Sequence, residues 1–114
     1  MRYMLLIYDN EAGFATAPEK QIAEVMEEYG RFTSALRGSG AYVSSGRLRH
    51  TPSATSVRVR GGQTILTDGP FAETKEQLGG YYLIDVKDLD EALQWAAKVP
   101  SAKFGSIEVR PLWE

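Results

Sequence analysis

The sequence contains no cysteine among its 114 residues and only one histidine, His50. Without cysteine there is no disulfide, no thiolate nucleophile and no cysteine-based zinc or iron–sulfur site. One histidine cannot build a histidine-rich metal site. The absence of cysteine also fits a cytoplasmic protein, and that is the location we expect.

Long apolar runs and a strong charge of one sign are absent as well. The longest apolar stretches, such as Met4–Tyr8, are far shorter than a bilayer span, and no secretory signal pattern opens the chain. The formal net charge is -2, which argues against nucleic acid as a partner. Apolar residues make up 43% and charged residues 25%, as in ordinary globular domains. The length predicts a single domain, 1–114.

Hydrophobic patterning predicts alternating strands and helices. Met4–Tyr8 and Tyr81–Val86 are apolar on both faces and are predicted strands. After an expected loop at Asp9–Ala15, a Thr16-x-x-Glu19 capping box opens a helix over Pro18–Arg37. A second helix begins with Asp88-x-x-Glu91. Further strands are predicted at Tyr42–Leu48, Ser56–Arg60, Gln63–Thr67 and Ser106–Leu112.

The resulting order is β-α-β-(hairpin)-β-α-β, an α+β class. Without the inserted hairpin it is the ferredoxin-like arrangement, an antiparallel sheet with two helices on one face. The other sheet face is then uncovered, although two of its strands are apolar on both faces. Either a ligand or a partner subunit must cover it. A symmetric homodimer, sheet against sheet, is the commoner solution and the one we expect.

The connection with the most chemical groups is Thr67–Gly80, which reads TDGPFAETKEQLGG. Hairpin turns need only two to five residues, so a longer segment with four charged side chains is a place to expect function. Gly69 supplies unusual backbone dihedral angles and Pro70 stiffens the turn. Phe71 is expected to anchor the segment in the core. A purely structural turn is an equally good interpretation.

Candidate functional residues come from this segment and its surroundings. A carboxylate held against apolar walls has its pKa raised towards neutrality, which suits acid–base catalysis. Asp68 and Glu73 are therefore the candidate catalytic residues. The candidate ligand-binding residues are Lys75, Tyr82, Phe71 and His50. Enclosure of the two carboxylates in a pocket would favour chemistry, whereas full solvation would count against it.

Other catalytic arrangements have less support. A hard-ion site built from Asp9, Glu11 and Asp68 would require three separate loops to converge. A Ser–His–acid triad lacks a Gly-x-Ser-x-Gly context. Gly61-Gly62 and Gly79-Gly80 lack the spacing of a dinucleotide site. We therefore expect no metal and no cofactor.

Three neighbouring motifs point to a family. Asp68-Gly69-Pro70-Phe71, the following Ala72–Glu76 and Gly79-Gly80-Tyr81-Tyr82 together resemble the signature of the DGPF branch of the YCII-related family. Arg2–Tyr8 and Glu108–Leu112 fit the same pattern, so the resemblance spans nearly the whole chain. It implies a ferredoxin-like domain that pairs into a dimeric α/β barrel, and a family that also occurs joined to extracytoplasmic-function sigma factors.

The resemblance leaves two hypotheses for function. In YciI-like relatives a His–Asp pair has been proposed as the active site, and one relative dehalogenates a muconolactone. Pro18–Arg37 contains no histidine, so only the acidic partner has a candidate in this chain, Asp68. The first hypothesis is a dimeric small-molecule-binding or accessory module. The second is a small-molecule enzyme that uses a cleft lined by the DGPF loop.

Overall fold

The computed structural model describes all of residues 1–114. The strands are β1 (Arg2–Asp9), β2 (Tyr42–Arg47), β3 (Thr55–Arg60), β4 (Gln63–Asp68), β5 (Gln77–Asp85) and β6 (Ser106–Pro111). The α-helices are α1 (Glu11–Thr16), α2 (Glu19–Gly38) and α3 (Leu89–Lys98). Short 3-10 helices cover Thr51–Ser53 and Pro100–Lys103.

Four strands form an antiparallel sheet in the order β2-β5-β1-β6. Side chains alternate between the two faces of a strand, so Tyr3, Leu5 and Ile7 of β1 all point to the helix side, where they are buried. The chain thus has a mixed α/β fold with antiparallel pairing, compatible with the predicted ferredoxin-like arrangement. The inserted β3 and β4 pair only with each other, in a separate two-stranded sheet.

The hydrophobic core lies between this sheet and the helices α2 and α3. Leu5, Leu36 and Ile84 have no solvent exposure at its centre. The ring of Phe32 packs edge-on against Tyr82, with ring centroids 5.1 Å apart. No helix is both long enough and apolar enough to span a membrane.

The segment before α2 differs from the sequence prediction. The expected loop at Asp9–Ala15 contains the short helix α1, because the side chain of Asn10 accepts a hydrogen bond from the Ala12 N–H and caps it. Thr16 does not cap α2, since its hydroxyl donates back to carbonyls within α1. The N-cap residue of α2 is Pro18, which has no side-chain cap.

Two other sequence motifs are confirmed. Asp88 caps α3 by accepting a hydrogen bond from the Glu91 N–H at 3.0 Å, and Glu91 reciprocates at the Lys87 N–H. Gly61 and Gly62 turn the predicted hairpin with φ values of 56° and 77°, the left-handed conformations that such a two-residue turn requires.

We call the hairpin formed by β3 and β4, Thr55–Asp68, the arm. Every residue of β4 is exposed, as is every residue of β3 except Ser56. The molecule measures 47 × 42 × 19 Å, with a radius of gyration of 16.0 Å. A rounded domain of this length would have a radius of about 13 Å. The chain is therefore a flat slab from which the arm projects.

Candidate functional site

A cavity of about 220 Å³ lies between α2 and the end of the sheet where β1 and β2 finish and β5 begins. Helix α1 and the loop around His50 form its remaining walls. Most of the wall is apolar, which is usual for small-molecule sites. The apolar lining residues include Ile7, Phe14, Met26, Leu48, Leu78 and Tyr82.

A glycine on β5 helps to form the floor of the cavity. Gly80 pairs with Ile7 on one side and with Arg47 on the other. A Cβ atom at Gly80 would lie 2.7 Å from the carbonyl oxygen of Gly46, closer than side chains tolerate. The missing side chain lets β2 approach β5 and leaves space above the strand.

Asp9 ends β1 on the cavity wall and is partly buried. The hydroxyl of Ser101 donates a long hydrogen bond of 3.5 Å to Oδ2 of Asp9. Tyr29 Oη lies 2.5 Å from Ser101 Oγ, so Tyr29 donates to Ser101 when Ser101 donates to Asp9. Burial raises the pKa of Asp9, and the Ser101 hydrogen bond only partly offsets it. Asp9 thus lies at the end of a chain of two hydroxyl groups, those of Tyr29 and Ser101, which we call the hydroxyl chain.

Glu11 has a different role at the cavity wall. It accepts hydrogen bonds from both the backbone N–H and the hydroxyl of Thr51. The bond from the hydroxyl is the main reason why the pKa of Glu11 is lowered. Thr51 follows His50 directly, so Glu11 ties α1 to the loop that carries the histidine.

Basic side chains surround the mouth of the cavity. Arg47, Arg49 and His50 line both the cavity and a shallower depression beside it. None of them takes part in an ion pair. A guanidinium nitrogen of Arg47 lies 3.9 Å from the sulfur of Met26, which places the charge over an apolar part of the wall. The mouth can therefore accept an anion.

Two of the residues predicted from the sequence lie at this cavity. His50 stands at the mouth, and Tyr82 forms part of the wall. The hydroxyl of Tyr82 is 2.7 Å from that of Thr33, so it is already partnered by α2. The ligand-binding roles of both residues stay predictions.

The other predicted residues lie outside the cavity and are exposed: Asp68, Glu73, Lys75 and Phe71. Phe71 was expected to be a core anchor, and that prediction is wrong, because its side chain is 82% exposed. The segment is held instead through its backbone, since the Gly69 N–H donates to the Ala54 carbonyl at 2.7 Å. The catalytic roles of Asp68 and Glu73 stay predictions, and their solvated surroundings in this chain do not favour them.

Sequence reasoning missed the residues that form the hydroxyl chain. Asp9 was considered only as one oxygen donor for a metal ion, and the structure has no cluster of three acidic or histidine side chains that could hold one. The signal was present, because Asp9 continues the odd-numbered face of β1 that is buried at Tyr3, Leu5 and Ile7. Ser101 carried no comparable signal, since a long-range contact positions it.

Comparison with known proteins gives a family match and a relative. The model of the YCII-related domain matches residues 1–114. The chain is also similar to an uncharacterized protein from Rhizobium meliloti (strain 1021), at 40% identity over 114 residues that cover 98% of this chain and 92% of the relative. Both the cavity and the arm therefore lie within the matched domain.

Proposed function

The chain belongs to the YCII-related family, and from this premise we propose that it is a dimeric protein whose cavity beside α2 binds a small molecule. The observation that carries the proposal is Asp9, a partly buried carboxyl group on an otherwise mainly apolar wall. A polar group in such a place is costly unless something pairs with it. Ser101 supplies only one long hydrogen bond, so acceptor capacity remains for a ligand.

The size and charge of the cavity narrow the ligand class. The cavity volume of about 220 Å³ is below the range usual for sites that bind drug-sized ligands. A cavity of this size fits a small metabolite. The apolar wall suits a hydrocarbon or aromatic body. The unpaired Arg47 and Arg49 at the mouth suit a carboxylate or another anionic group on that body. We therefore infer a small organic anion.

Acid–base catalysis is a second candidate function. It is favoured by the raised pKa of Asp9, because a carboxyl group whose pKa lies closer to the working pH is a better general acid or base. Tyr29 and Ser101 would then act as positioning residues that orient the carboxyl group. For Asp68 or Glu73 to take this role, they would first have to be enclosed by a partner molecule.

The dimer in this proposal rests on the sheet face that carries no helix. We call this surface the open face; its apolar residues are Met4, Leu6, Tyr8, Tyr81 and Leu83. Their positions follow from strand alternation and register, since Met4 pairs with Leu83 and Leu6 with Tyr81. Packing of two open faces against each other would produce the dimeric α/β barrel. The motif Asp68-Gly69-Pro70-Phe71 supports the further proposal that the chain is a member of the DGPF branch of the family.

A thermal-shift screen with matched probe pairs tests the binding function. Small aromatic carboxylates that also carry a hydrogen-bond donor for Asp9, such as 4-hydroxybenzoate, are compared with their neutral amides on wild type, Asp9→Asn and Asp68→Asn. We expect a carboxylate to raise the melting temperature of wild type and Asp68→Asn, and to raise that of Asp9→Asn less. A ligand that stabilises Asp9→Asn and wild type equally but not Asp68→Asn would move the site to the DGPF loop.

A further inference from the structure

The shallow depression beside the cavity mouth is a second space that a ligand of the cavity can reach. It has a volume of about 460 Å³ and is lined by Arg47, Leu48, Arg49, His50, Pro52 and Ser53. Residues 47–50 also line the cavity, so the two spaces adjoin. No acidic side chain lines the depression. A ligand whose body fills the cavity can therefore extend an anionic group into it.

The backbone that carries the basic side chains is held in place from two directions. The carbonyl of His50 accepts hydrogen bonds from the N–H and the hydroxyl of Ser53, at 3.1 and 2.8 Å, which closes a tight turn. The carboxylate of Glu11 accepts from the Thr51 N–H at 3.1 Å and fastens the same turn to α1. Arg49 and His50 thus lie on a preorganised loop, which reduces the entropy that a ligand must remove on binding.

The basic groups of the depression differ in their surroundings. Arg47 leans over the cavity wall, with a guanidinium nitrogen 3.9 Å from the sulfur of Met26. Arg49 and His50 follow it along the loop, and neither takes part in an ion pair. Two arginine charges and one imidazole therefore line one depression, and no carboxylate within it neutralises them.

The number of donors distinguishes between classes of anion. A carboxylate has two oxygens, and a single arginine fork binds both of them. Arg47 alone is therefore sufficient for a carboxylate at the cavity mouth. A phosphate monoester has three terminal oxygens and close to two negative charges at neutral pH. Arg49 and His50 supply the additional donors and the second positive charge that such a group requires.

We propose that the ligand of the cavity is a small phosphomonoester whose phosphate group binds in this depression. The organic body lies against the apolar wall, and a hydrogen-bond donor on that body meets Asp9. The phosphate meets Arg47, Arg49 and His50. The inference rests on the proposed binding function, because it names the anionic group of the same ligand.

Isothermal titration calorimetry in phosphate-free buffer tests the inference with two probes that share one body. The probes are 4-hydroxyphenyl phosphate and 4-hydroxybenzoate, and the test variant is Arg49→Gln. We expect wild type to bind the phosphate more tightly than the carboxylate. Because only the phosphate has an oxygen left for Arg49, the substitution should raise the Kd of the phosphate about tenfold or more. It should raise the Kd of the carboxylate by no more than about threefold.

The matched control is Arg60→Gln, because Arg60 is an exposed arginine of the arm that does not line the depression. It removes the same charge from the chain at a distance over which salt screens the effect. We expect it to raise the Kd of either probe by no more than about threefold. Arg49 is exposed as well, so far-UV circular dichroism should show unchanged folding for both variants.

The outcomes separate this inference from the proposed function. If Arg49→Gln changes the Kd of both probes by the same factor, or if wild type prefers the carboxylate, the phosphate inference is overturned. Binding of 4-hydroxybenzoate that Asp9→Asn weakens would then still support the proposed function. If neither probe binds wild type at millimolar concentration, both proposals are overturned.

Discussion

At the scale of single residues, Asp9 is a carboxyl group whose surroundings change its acidity. Burial raises its pKa above the ordinary value of 3.8, so the folded protein holds this proton more tightly than the unfolded chain does. The contribution of Asp9 to the free energy of unfolding is therefore greatest at low pH. It is lost as the pH rises from about 3.8 through the pKa that Asp9 has in the folded protein.

Replacement of Asp9 by Asn should remove that loss. We expect Asp9→Asn to be more stable than wild type at about pH 7, by of order 1 kcal/mol or less, and close to wild type at about pH 4. Urea unfolding at both pH values measures the difference. The exposed Glu73→Gln is the matched control, with a small effect at both. A stability loss for Asp9→Asn that is larger at neutral pH would mean that folding lowers the pKa of Asp9.

Gly80 is a second residue whose substitution has a defined result. Gly80→Ala would place its Cβ against the Gly46 carbonyl oxygen, so β2 must shift, and we expect a loss of about 1–3 kcal/mol in unfolding free energy. Gly30→Ala is the control, because that glycine lies within α2 with open space around it. The control should gain about 0.5–1 kcal/mol. Chemical denaturation compares the two, and equal effects would argue against a tight β2–β5 contact.

Residue-level prediction from the sequence was uneven for a physical reason. The strand that carries Tyr82 was predictable, because its run of apolar residues is a local property of the sequence. The exposure of Phe71 depends on whether any other element comes near it, and no local pattern encodes that distance. The hydroxyl of Tyr29, a residue of the predicted helix Pro18–Arg37, reaches Ser101, 72 positions away in the chain, and no local pattern encodes a contact at that separation.

At the scale of elements, capping gives a measurable prediction. Asp88→Ala removes the side chain that accepts from the Glu91 N–H at the start of α3, and we expect a cost of about 1 kcal/mol. Asp90→Ala is the control, since Asp90 lies in the same turn without a capping hydrogen bond. Thermal unfolding measures both. A cost for Asp90→Ala that equals the cost for Asp88→Ala would assign the effect to charge near the helix terminus.

The two capping patterns show where element prediction succeeds. Asp88-x-x-Glu91 was confirmed because nothing upstream competes for its backbone groups. Thr16-x-x-Glu19 failed because Asn10 begins a helix six residues earlier, and Thr16 ends up inside that helix. A capping motif is a local signal, so another cap a few residues away can override it.

At the scale of the whole molecule, the open face gives the test of the proposed dimer. Leu83→Arg places a charge among its apolar residues, and we expect the protein to become monomeric at micromolar concentration, as measured by light scattering. Leu93→Arg is the matched control on the exposed side of α3 and should leave the dimer intact. Dimers of equal mass from both variants would exclude the open face as the interface.

The order of strands and helices along the chain was predictable at this scale, whereas the cavity was not. The alternation of strands and helices, together with the two adjacent predicted strands Ser56–Arg60 and Gln63–Thr67, was enough to indicate the sheet and its inserted arm. The cavity lies where the register of β1 against β5 shifts between Ile7 and Tyr8 and where β2 closely approaches Gly80. Both are products of tertiary packing, and neither changes the periodicity of the sequence.

The flat shape of the chain has a consequence for small-angle X-ray scattering. The single chain, with its arm extended, has a radius of gyration of 16.0 Å. A rounded particle of twice this length would have a radius of about 17 Å. A dimer that reached this compactness would therefore double the forward scattering while the Guinier slope hardly changed. A dilution series that dissociates such a dimer would therefore halve the particle mass and leave the radius of gyration almost unchanged.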